Sequence, residues 1–129
     1  MQVVPSALNS TKPLRNFVSE YKKLAGKKNG RILVVDDEEF CISSMESILH
    51  MAGLDVEQMV DFCINGEEAV KQVIESYQLG ITYALVLTDF SMPVLNGIEA
   101  TKKIRKILKE EFKVVRANQP VIVGITGHV

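Results

Sequence analysis

The sequence lacks several features that mark particular classes of protein. None of its segments reaches the roughly eighteen consecutive apolar residues that a membrane-spanning helix needs. Its N-terminus does not have the charged start and apolar stretch of a secretory signal. It also contains no Gly-rich phosphate loop of the kind that nucleotide enzymes use, and no internal repeat. We therefore expect neither membrane insertion nor secretion.

Cysteine is scarce, and its positions are uninformative for metal or redox chemistry. The two cysteines, Cys41 and Cys63, lie inside apolar segments and not in CxxC spacing. This placement is typical of core cysteines in a reducing compartment, so we predict a cytoplasmic protein. His50 and His128 are isolated in the sequence, and we assign neither of them as a ligand or phosphodonor.

Charge is distributed unevenly along the 129 residues. Residues 1–30 carry six Lys or Arg against one acid, whereas residues 31–129 carry nine against fifteen, a net charge of −6. An acidic domain lacks the positively charged surface that attracts the phosphates of nucleic acid, so we expect no nucleic acid to bind through it. The composition predicts one domain at residues 31–129, preceded by a basic linker or partly helical leader at residues 1–30, with one amphipathic stretch at Leu14–Ala25.

Short apolar runs alternate with amphipathic segments. The predicted strands cover residues 31–35, 54–60, 83–89 and 121–126, and a turn is predicted at 61–66. Between the strands, helical spacing of apolar residues predicts three helices; Gly53 is suited to end the first, Asn65 to begin the second and Gly97 to open the third. This alternation predicts an α/β fold, a doubly wound parallel sheet of four strands with helices on both faces in three layers.

Acidic residues follow two of these strands. Asp36 and Asp37 come directly after the first strand, and Asp89 ends the third. Functional groups of open parallel sheets collect at the carboxyl ends of the strands, so neighbouring strands would bring the three carboxylates together. Such a cluster repels itself unless a hard cation occupies it, and oxygen-only ligands favour Mg²⁺. Helix capping is an alternative role for Asp37, and it is compatible with metal binding.

The cluster suits phosphoryl chemistry. A carboxylate held beside Mg²⁺ can attack a phosphoryl group in line, which makes Asp89 a candidate nucleophile. Thr126, at the end of the fourth strand, is placed to offer a hydroxyl donor to the acyl phosphate that results. Such an acyl phosphate is a reactive and temporary charge. It is more typical of a regulatory switch than of an enzyme active site with repeated turnover.

The pattern of these residues resembles a known family. The pair Asp36-Asp37 and the stretch Leu-Thr-Asp-Phe-Ser-Met-Pro-Val-Leu-Asn-Gly around Asp89 are similar to the receiver domain of two-component response regulators and hybrid histidine kinases. Thr126 after the fourth strand completes the resemblance, which covers residues 31–129 and implies a flavodoxin-like fold. The sequence around Asp89 looks more like that of a hybrid-kinase receiver than that of a stand-alone bacterial regulator. The resemblance therefore implies that the parent protein is a hybrid histidine kinase.

The resemblance implies a role for each site residue. Asp89 would accept a phosphoryl group from the phosphohistidine of a histidine kinase or phosphotransfer protein, so the domain would be a regulatory phosphoacceptor and not an enzyme acting on other substrates. Asp37 and Asp89 would bind Mg²⁺ directly, and Asp36 through water. The other implied contacts are a metal bond from the backbone carbonyl of Ser91, the switch hydroxyl of Thr126, and phosphoryl contacts from the backbone N–H groups of Phe90 and Gly127.

The sequence departs from the family at its C-terminal side. Family members continue through a fifth strand ending in Lys and a final helix, so the resemblance implies that residues 31–129 lack this part and the catalytic lysine. The family's sheet order places the fourth strand between the third and the fifth. The apolar edge at Val121–Ile125 is therefore expected to be exposed and to promote self-association.

Two other functions remain as alternatives. A non-phosphorylated pseudo-receiver, acting as a binding or scaffold module, is favoured by the missing lysine and disfavoured by the intact acids. A Mg²⁺-dependent phosphatase is disfavoured because such enzymes place a general acid two residues after the nucleophile, where this chain has Ser91. The sequence therefore predicts a phosphoacceptor domain, with the pseudo-receiver as the alternative.

Overall fold

The computed structural model describes residues 2–4, 30–89 and 96–125. The strands in these ranges are β1 (Gln2–Val4), β2 (Arg31–Val35), β3 (Val60–Cys63), β4 (Tyr83–Asp89) and β5 (Val121–Ile125). The α-helices are α1 (Glu39–Met51), α2 (Val56–Met59), α3 (Gly66–Gln78) and α4 (Gly97–Glu110), and a 3-10 turn covers Arg116–Asn118. None of the helices in the described ranges has both the length and the apolar character needed to cross a membrane.

The strands form one parallel sheet in the order β1-β5-β4-β2-β3. Alternate residues of β2 enter two different core clusters: Ile32 and Val34 pack with residues of α1, and Leu33 and Val35 pack with residues of α3 and α4. A strand covered on both faces requires such a continuous apolar run, because successive side chains point to opposite faces. The predicted three-layer α/β fold with its four parallel strands is confirmed.

Local capping interactions fix where the helices begin and end. The side chains of Asn65 and Asn96 accept hydrogen bonds from the N–H groups of Glu68 and Glu99, at 2.8 and 2.9 Å, and so cap α3 and α4. Gly53 follows α1 with a φ of +89°, the left-handed conformation that glycine adopts most readily. The three long helices therefore begin and end close to where the sequence predicted.

The second strand is displaced from its predicted position. The prediction of a strand at 54–60 and a turn at 61–66 is wrong, because the side chain of Asp55 accepts a hydrogen bond from the N–H of Gln58 and caps the short helix α2. The strand then runs from Val60 to Cys63 and pairs with β2. Val56 and Val60 are both buried, and a spacing of four residues fits a helical turn as well as one face of a strand.

A further strand comes from the leader. β1 pairs in parallel with β5, with Gln2 opposite Val123 and Val4 opposite Ile125. The expected exposure of the edge of the fourth predicted strand is therefore wrong at Val123–Ile125, because the leader supplies a neighbour there. The predicted helix at Leu14–Ala25 lies outside the described residues.

A polar network connects the amino ends of the central strands. The guanidinium of Arg31 donates two hydrogen bonds to the carboxylate of Asp61, at 3.1 and 2.7 Å, and the Tyr83 hydroxyl donates a third at 2.5 Å. The same hydroxyl lies 3.2 Å from the Ser76 hydroxyl and accepts a hydrogen bond from the Gln72 amide at 3.2 Å. The starts of β2, β3 and β4 are thereby joined to α3.

The environment sets opposite ionisation states for the two acidic groups of this network. Burial would raise the pKa of Asp61, but the hydrogen bonds from Arg31 and Tyr83 and the charge of Arg31 lower it below the ordinary value of 3.8. Burial, together with the adjacent Asp61 carboxylate, raises the pKa of Tyr83 to about 12. The carboxylate therefore stays ionised as an acceptor, and the phenol stays protonated as its donor.

We predict that this network makes the stability of the fold sensitive to acid. Because the pKa of Asp61 is lower in the folded chain, the ionised carboxylate stabilises the fold above about pH 4, and this contribution disappears as the pH falls through the folded pKa. Asp61→Asn should lower the free energy of unfolding near neutral pH by about 1.5–3 kcal/mol, the range for hydrogen bonds to charged groups. The free energy of unfolding of this variant should also fall less than that of the wild type when the solution is acidified.

Urea unfolding at a series of pH values would measure both effects. Glu57→Gln, a change at an exposed acid of α2, is the matched control and should leave the pH profile unchanged. Identical profiles for Asp61→Asn and the wild type would contradict the prediction.

Candidate functional site

Three carboxylates meet at the carboxyl edge of the sheet. Val35 pairs with Thr88 across β2 and β4, so Asp36 leaves the sheet beside Asp89, and Asp37 follows it. One carboxylate oxygen from each of the three aspartates lies within 4.8 Å of the others. The structure thus brings together the three acids that the sequence analysis singled out.

The three aspartates differ in their surroundings. Asp37 is exposed, whereas Asp36 and Asp89 are half-buried. Burial raises the pKa of Asp36 to about 6; a hydrogen bond from the Glu38 N–H opposes this rise, and the charges of Asp89 and Asp37 add to it. Burial is thus the main reason that this carboxyl group resists ionisation, and its two acidic neighbours add to the effect.

The start of α1 tests the capping role that was considered for Asp37. The N-cap residue of α1 is Glu38, and it makes no side-chain capping hydrogen bond. The backbone N–H of Glu38 instead donates to Oδ1 of Asp36 at 2.9 Å. The alternative that Asp37 caps this helix is therefore wrong, and its carboxylate remains with the cluster.

The donor set fits a hard divalent cation. All three groups are carboxylates, one of them exposed, which leaves room for water and for a substrate oxygen. The neighbouring thiol of Cys41 is a poor competitor: burial and the charges of Asp36, Glu38 and Asp89 raise its pKa, which disfavours the thiolate that zinc prefers. These residues suit Mg²⁺ better than Zn²⁺.

The remaining predicted site residues lie outside the described part of the chain. They are Phe90, Ser91, Thr126 and Gly127. The strand register nevertheless fixes the position of the residue that precedes Thr126, because Ile125 of β5 pairs with Asp89 of β4. Thr126 therefore follows a residue that is level with Asp89 in the sheet.

Sequence reasoning missed an apolar feature at this edge. Phe40, in the first turn of α1, is 79% exposed, and Ile98, in the first turn of α4, is 44% exposed. The available signal was an aromatic residue directly after the acidic run, outside the apolar face of the helix. Each of these helices follows a strand of the parallel sheet and runs back along it, so its first turn lies toward the carboxyl edge, where the acids are.

A large concavity lies elsewhere. A cavity of about 740 Å³ is formed by the last turns of α4 and the segment before β5, and Arg105, Lys106, Lys109, Lys113 and Arg116 are among its lining residues. It sits at the amino end of β5, whereas the acids lie at the carboxyl ends of β2 and β4. It therefore shares no residue with the acid cluster.

Comparison with known proteins points to one family. The model of the family described as response regulator receiver domain matches residues 32–128. Two-component system protein A of Emericella nidulans is 37% identical over 101 residues, which cover 78% of this chain and 14% of that protein. Hybrid signal transduction histidine kinase L of Dictyostelium discoideum is 27% identical over 118 residues, 92% of this chain and 6% of that protein. The chain spans a small part of these relatives.

Solved structures agree in fold. The receiver domain of the histidine kinase CKI1 from Arabidopsis thaliana, complexed with Mg²⁺, is 26% identical with a TM-score of 0.63, covering 79% of this chain and 70% of that chain. The Saccharomyces cerevisiae complex of the phosphotransfer protein Ypd1 with the receiver domain of Ssk1 is 28% identical with a TM-score of 0.57, covering 74% and 61%.

We predict that Asp37→Asn stabilises the metal-free chain. Two unit charges within 4.8 Å of each other repel by about 1 kcal/mol in a water-like dielectric, so removing one charge should raise the free energy of unfolding by about that amount. Mg²⁺ should raise the melting temperature of the wild type more than that of the variant, because it binds the folded cluster.

Thermal unfolding with and without Mg²⁺ would measure both changes. The control is Glu46→Gln, which removes an exposed acid of α1 outside the cluster and should respond to Mg²⁺ as the wild type does. Equal stability and an equal Mg²⁺ response of Asp37→Asn and wild type would contradict the prediction.

Proposed function

Because the chain belongs to the response regulator receiver domain family, we propose that it is a phosphoacceptor domain that takes a phosphoryl group onto Asp89 from a phosphohistidine. The convergence of three carboxylate oxygens within 4.8 Å at the carboxyl edge of the sheet carries the proposal. Receiver domains belong to two-component signalling, so the product would be a modified state of the protein itself and not a released compound.

In the proposed reaction, a carboxylate oxygen of Asp89 attacks the phosphorus atom in line with the bond to the donor histidine. The new P–O bond forms as the P–N bond breaks, and the donor nitrogen keeps the electron pair. The donor leaves as neutral histidine, since its other ring nitrogen carries the proton. Asp89 becomes an acyl phosphate.

The acid cluster would hold a metal ion for this step. Asp37 and Asp89 would bind Mg²⁺ directly, Asp36 through water, and the backbone carbonyl of Ser91 would be a third protein ligand. Bound Mg²⁺ supplies positive charge against the carboxylates and the phosphoryl oxygens. A similar domain, the CKI1 receiver of Arabidopsis thaliana, has been solved with Mg²⁺ and BeF₃⁻, which supports this assignment.

Residues after β4 and β5 would respond to the phosphoryl group. The hydroxyl of Thr126 would donate to one of its oxygens, and the backbone N–H groups of Phe90 and Gly127 would contact others. The pairing of Ile125 with Asp89 supports this role, because Thr126 directly follows a residue that lies beside the acceptor in the sheet.

The phosphodonor would dock beside the acids. We propose a histidine kinase or phosphotransfer protein that covers Phe40 and Ile98, the exposed apolar side chains at the starts of α1 and α4. The Ssk1 receiver of Saccharomyces cerevisiae has been solved with such a protein, Ypd1. A hybrid histidine kinase is the proposed parent protein, and the free thiols of Cys41 and Cys63 support a reducing, cytoplasmic setting.

We predict that beryllofluoride with Mg²⁺ binds the wild type saturably and does not bind Asp89→Asn. The analogue needs the carboxylate oxygen that a phosphoryl group would bond to, and the amide removes it. Amide chemical shifts of β5 and of the residues after it would follow binding. Glu46→Gln should bind as the wild type does.

The outcomes separate the two functions. A folded wild type that gives no Mg²⁺-dependent shifts would contradict phosphoryl acceptance and favour the pseudo-receiver, a scaffold that retains the fold. Equal binding by Asp89→Asn would contradict the choice of the acceptor.

We also predict that Phe40→Ala slows phosphotransfer from a phosphotransfer protein by about tenfold, since an exposed aromatic side chain buried on docking contributes roughly 1–2 kcal/mol. Labelling by acetyl phosphate, a donor too small to need the surface, should not change. Met51→Ala is the matched control, because Met51 is 78% exposed at the opposite end of α1. If both variants slow phosphotransfer equally, or if acetyl phosphate labelling falls with Phe40→Ala, the docking surface lies elsewhere.

A further inference from the structure

A positively charged cavity lies at the amino end of β5, away from the acid cluster. Its volume is about 740 Å³, and it is formed by the last turns of α4 and the segment before β5. Its charged lining residues are five cations and one acid: Arg105, Lys106, Lys109, Lys113 and Arg116 against Glu110. Residues 31–129 carry a net charge of −6, so the charge of this cavity is opposite in sign to that of the domain as a whole.

The positive charges of this cavity have no carboxylate partners in the described structure. None of the five cations forms an ion pair with an acid of residues 2–4, 30–89 or 96–125. Burial lowers the pKa of the Arg105 guanidinium, and the charge of Arg116 lowers it further. Like charges therefore face one another in this cavity, and a ligand of opposite charge would relieve their repulsion.

A buried amide holds one of these cations in place. Nη1 of Arg105 donates to Oε1 of Gln119 at 2.9 Å and to the carbonyl oxygen of Pro120 at 3.0 Å. Gln119 is 3% exposed, and its Nε2 donates to the carbonyl oxygen of Val114 at 3.2 Å. The guanidinium is thus positioned before a ligand binds, which reduces the loss of side-chain freedom on binding.

Lys113 has a backbone conformation that is unusual for lysine. Its φ is +56°, and among the described residues it is the only one other than glycine with a positive φ. Its neighbours fix the turn, because Phe112 and Val114 pack against the core and the N–H of Val114 donates to the carbonyl oxygen of Leu108 at 2.8 Å. Glycine would adopt this conformation with less strain, so the turn does not explain the lysine, and a role for its charge does.

A second cavity continues the first. Its volume is about 460 Å³, and it shares Lys113, Val114 and Val115 with the charged cavity. Tyr77 and Phe112 also line it, and their ring centroids lie 5.8 Å apart. The two cavities therefore form one groove, which we call the basic groove, with cations at one end and aromatic side chains at the other.

We infer that the basic groove binds an acidic peptide segment of a partner protein, with its carboxylates on the cations and an adjacent apolar side chain beside Phe112 and Val115. Clusters of Arg and Lys bind acidic segments through charge-assisted hydrogen bonds. Val115 is 62% exposed and offers apolar surface where the two cavities meet. A small anion would contact the cations alone, whereas an extended peptide contacts both ends of the groove.

The charge of the groove also selects against the chain's own leader. Residues 1–30 carry six Lys or Arg against one acid, so the leader would add to the repulsion among the cations. The basic groove shares no residue with the acid cluster, and the inference is therefore independent of phosphoryl transfer to Asp89.

Titration of the full chain with synthetic peptides tests the groove. The test peptide is short and capped, with a run of Asp and Glu followed by Phe, and a second peptide has the same residues in reverse order, since such a groove can accept either chain direction. At least one of them should bind saturably, with amide chemical shift changes at residues 105–119, and binding should weaken as salt is raised. The same peptides with Asn and Gln in place of the acids should not bind, and replacing Phe by Ser should weaken binding.

Variants of single cations test the charges. Arg116→Gln and Lys113→Ala should each weaken peptide binding by about two- to fivefold, the effect of losing one exposed ion pair. Lys113→Arg should keep the affinity of the wild type. Lys71→Gln, which removes an exposed cation of α3 outside the groove, is the matched control and should also bind as the wild type does.

Lys113→Gly separates the charge from the backbone conformation. It should bind the peptide as weakly as Lys113→Ala, yet unfold at a higher temperature than Lys113→Ala, because glycine relieves the strain at this φ. A loss of binding without a loss of stability would then be an effect of the missing charge and not of a damaged fold.

Four results would overturn the proposal. They are a folded wild type that binds neither peptide; equal affinity of the wild type, Lys113→Gly and Arg116→Gln; binding of inorganic tripolyphosphate without binding of either peptide, which would assign the groove to small anions; and self-association of the chain at micromolar concentration that Arg116→Gln abolishes, which would make a second copy the occupant.

Discussion

The burial of β2 and β4 on both faces governs where the helices and the ionisable groups of the domain lie. Their apolar residues are covered by α1 on one side and by α3 and α4 on the other. A charged side chain in the middle of either strand would lose its hydration without a partner, so the ionisable groups lie at the strand ends. Parallel pairing then gathers the amino ends at one edge of the sheet and the carboxyl ends at the opposite edge.

The charged groups at the two edges have different partners. At the amino edge, Arg31 and Tyr83 satisfy the Asp61 carboxylate, and the network is closed on itself. At the carboxyl edge, Asp36, Asp37 and Asp89 face one another as like charges. Among the described residues, no buried side-chain nitrogen or oxygen lacks a hydrogen-bond partner. The described fold thus satisfies its buried side-chain polar atoms, and the close approach of three carboxylates is a feature of the candidate site.

Burial of the strands also affects the backbone at the lateral edges of the sheet. β5 is apolar because its residues close the core, and this leaves it without charges that would guard an outer edge. The leader provides a neighbour for it in β1, although composition and turn residues gave the leader the character of a linker. A strand of three residues has too little sequence for any periodicity, so it is recognisable only through its partner.

Local patterns predicted the order of the elements, the apolar character of the central strands on both faces, the start of α3 at Asn65 and of α4 at Gly97, and the acids at the strand ends, because each depends on residues close together in the chain. The position of β3 depends on pairing with β2, since Val56 and Val60 suit a helix and a strand equally until β2 pairs with one segment. The tertiary structure also decided the distances within the acid cluster, the exposure of Phe40 and the pairing of β1 with β5. These properties depend on neighbours that are remote in sequence, and a local pattern alone does not determine them.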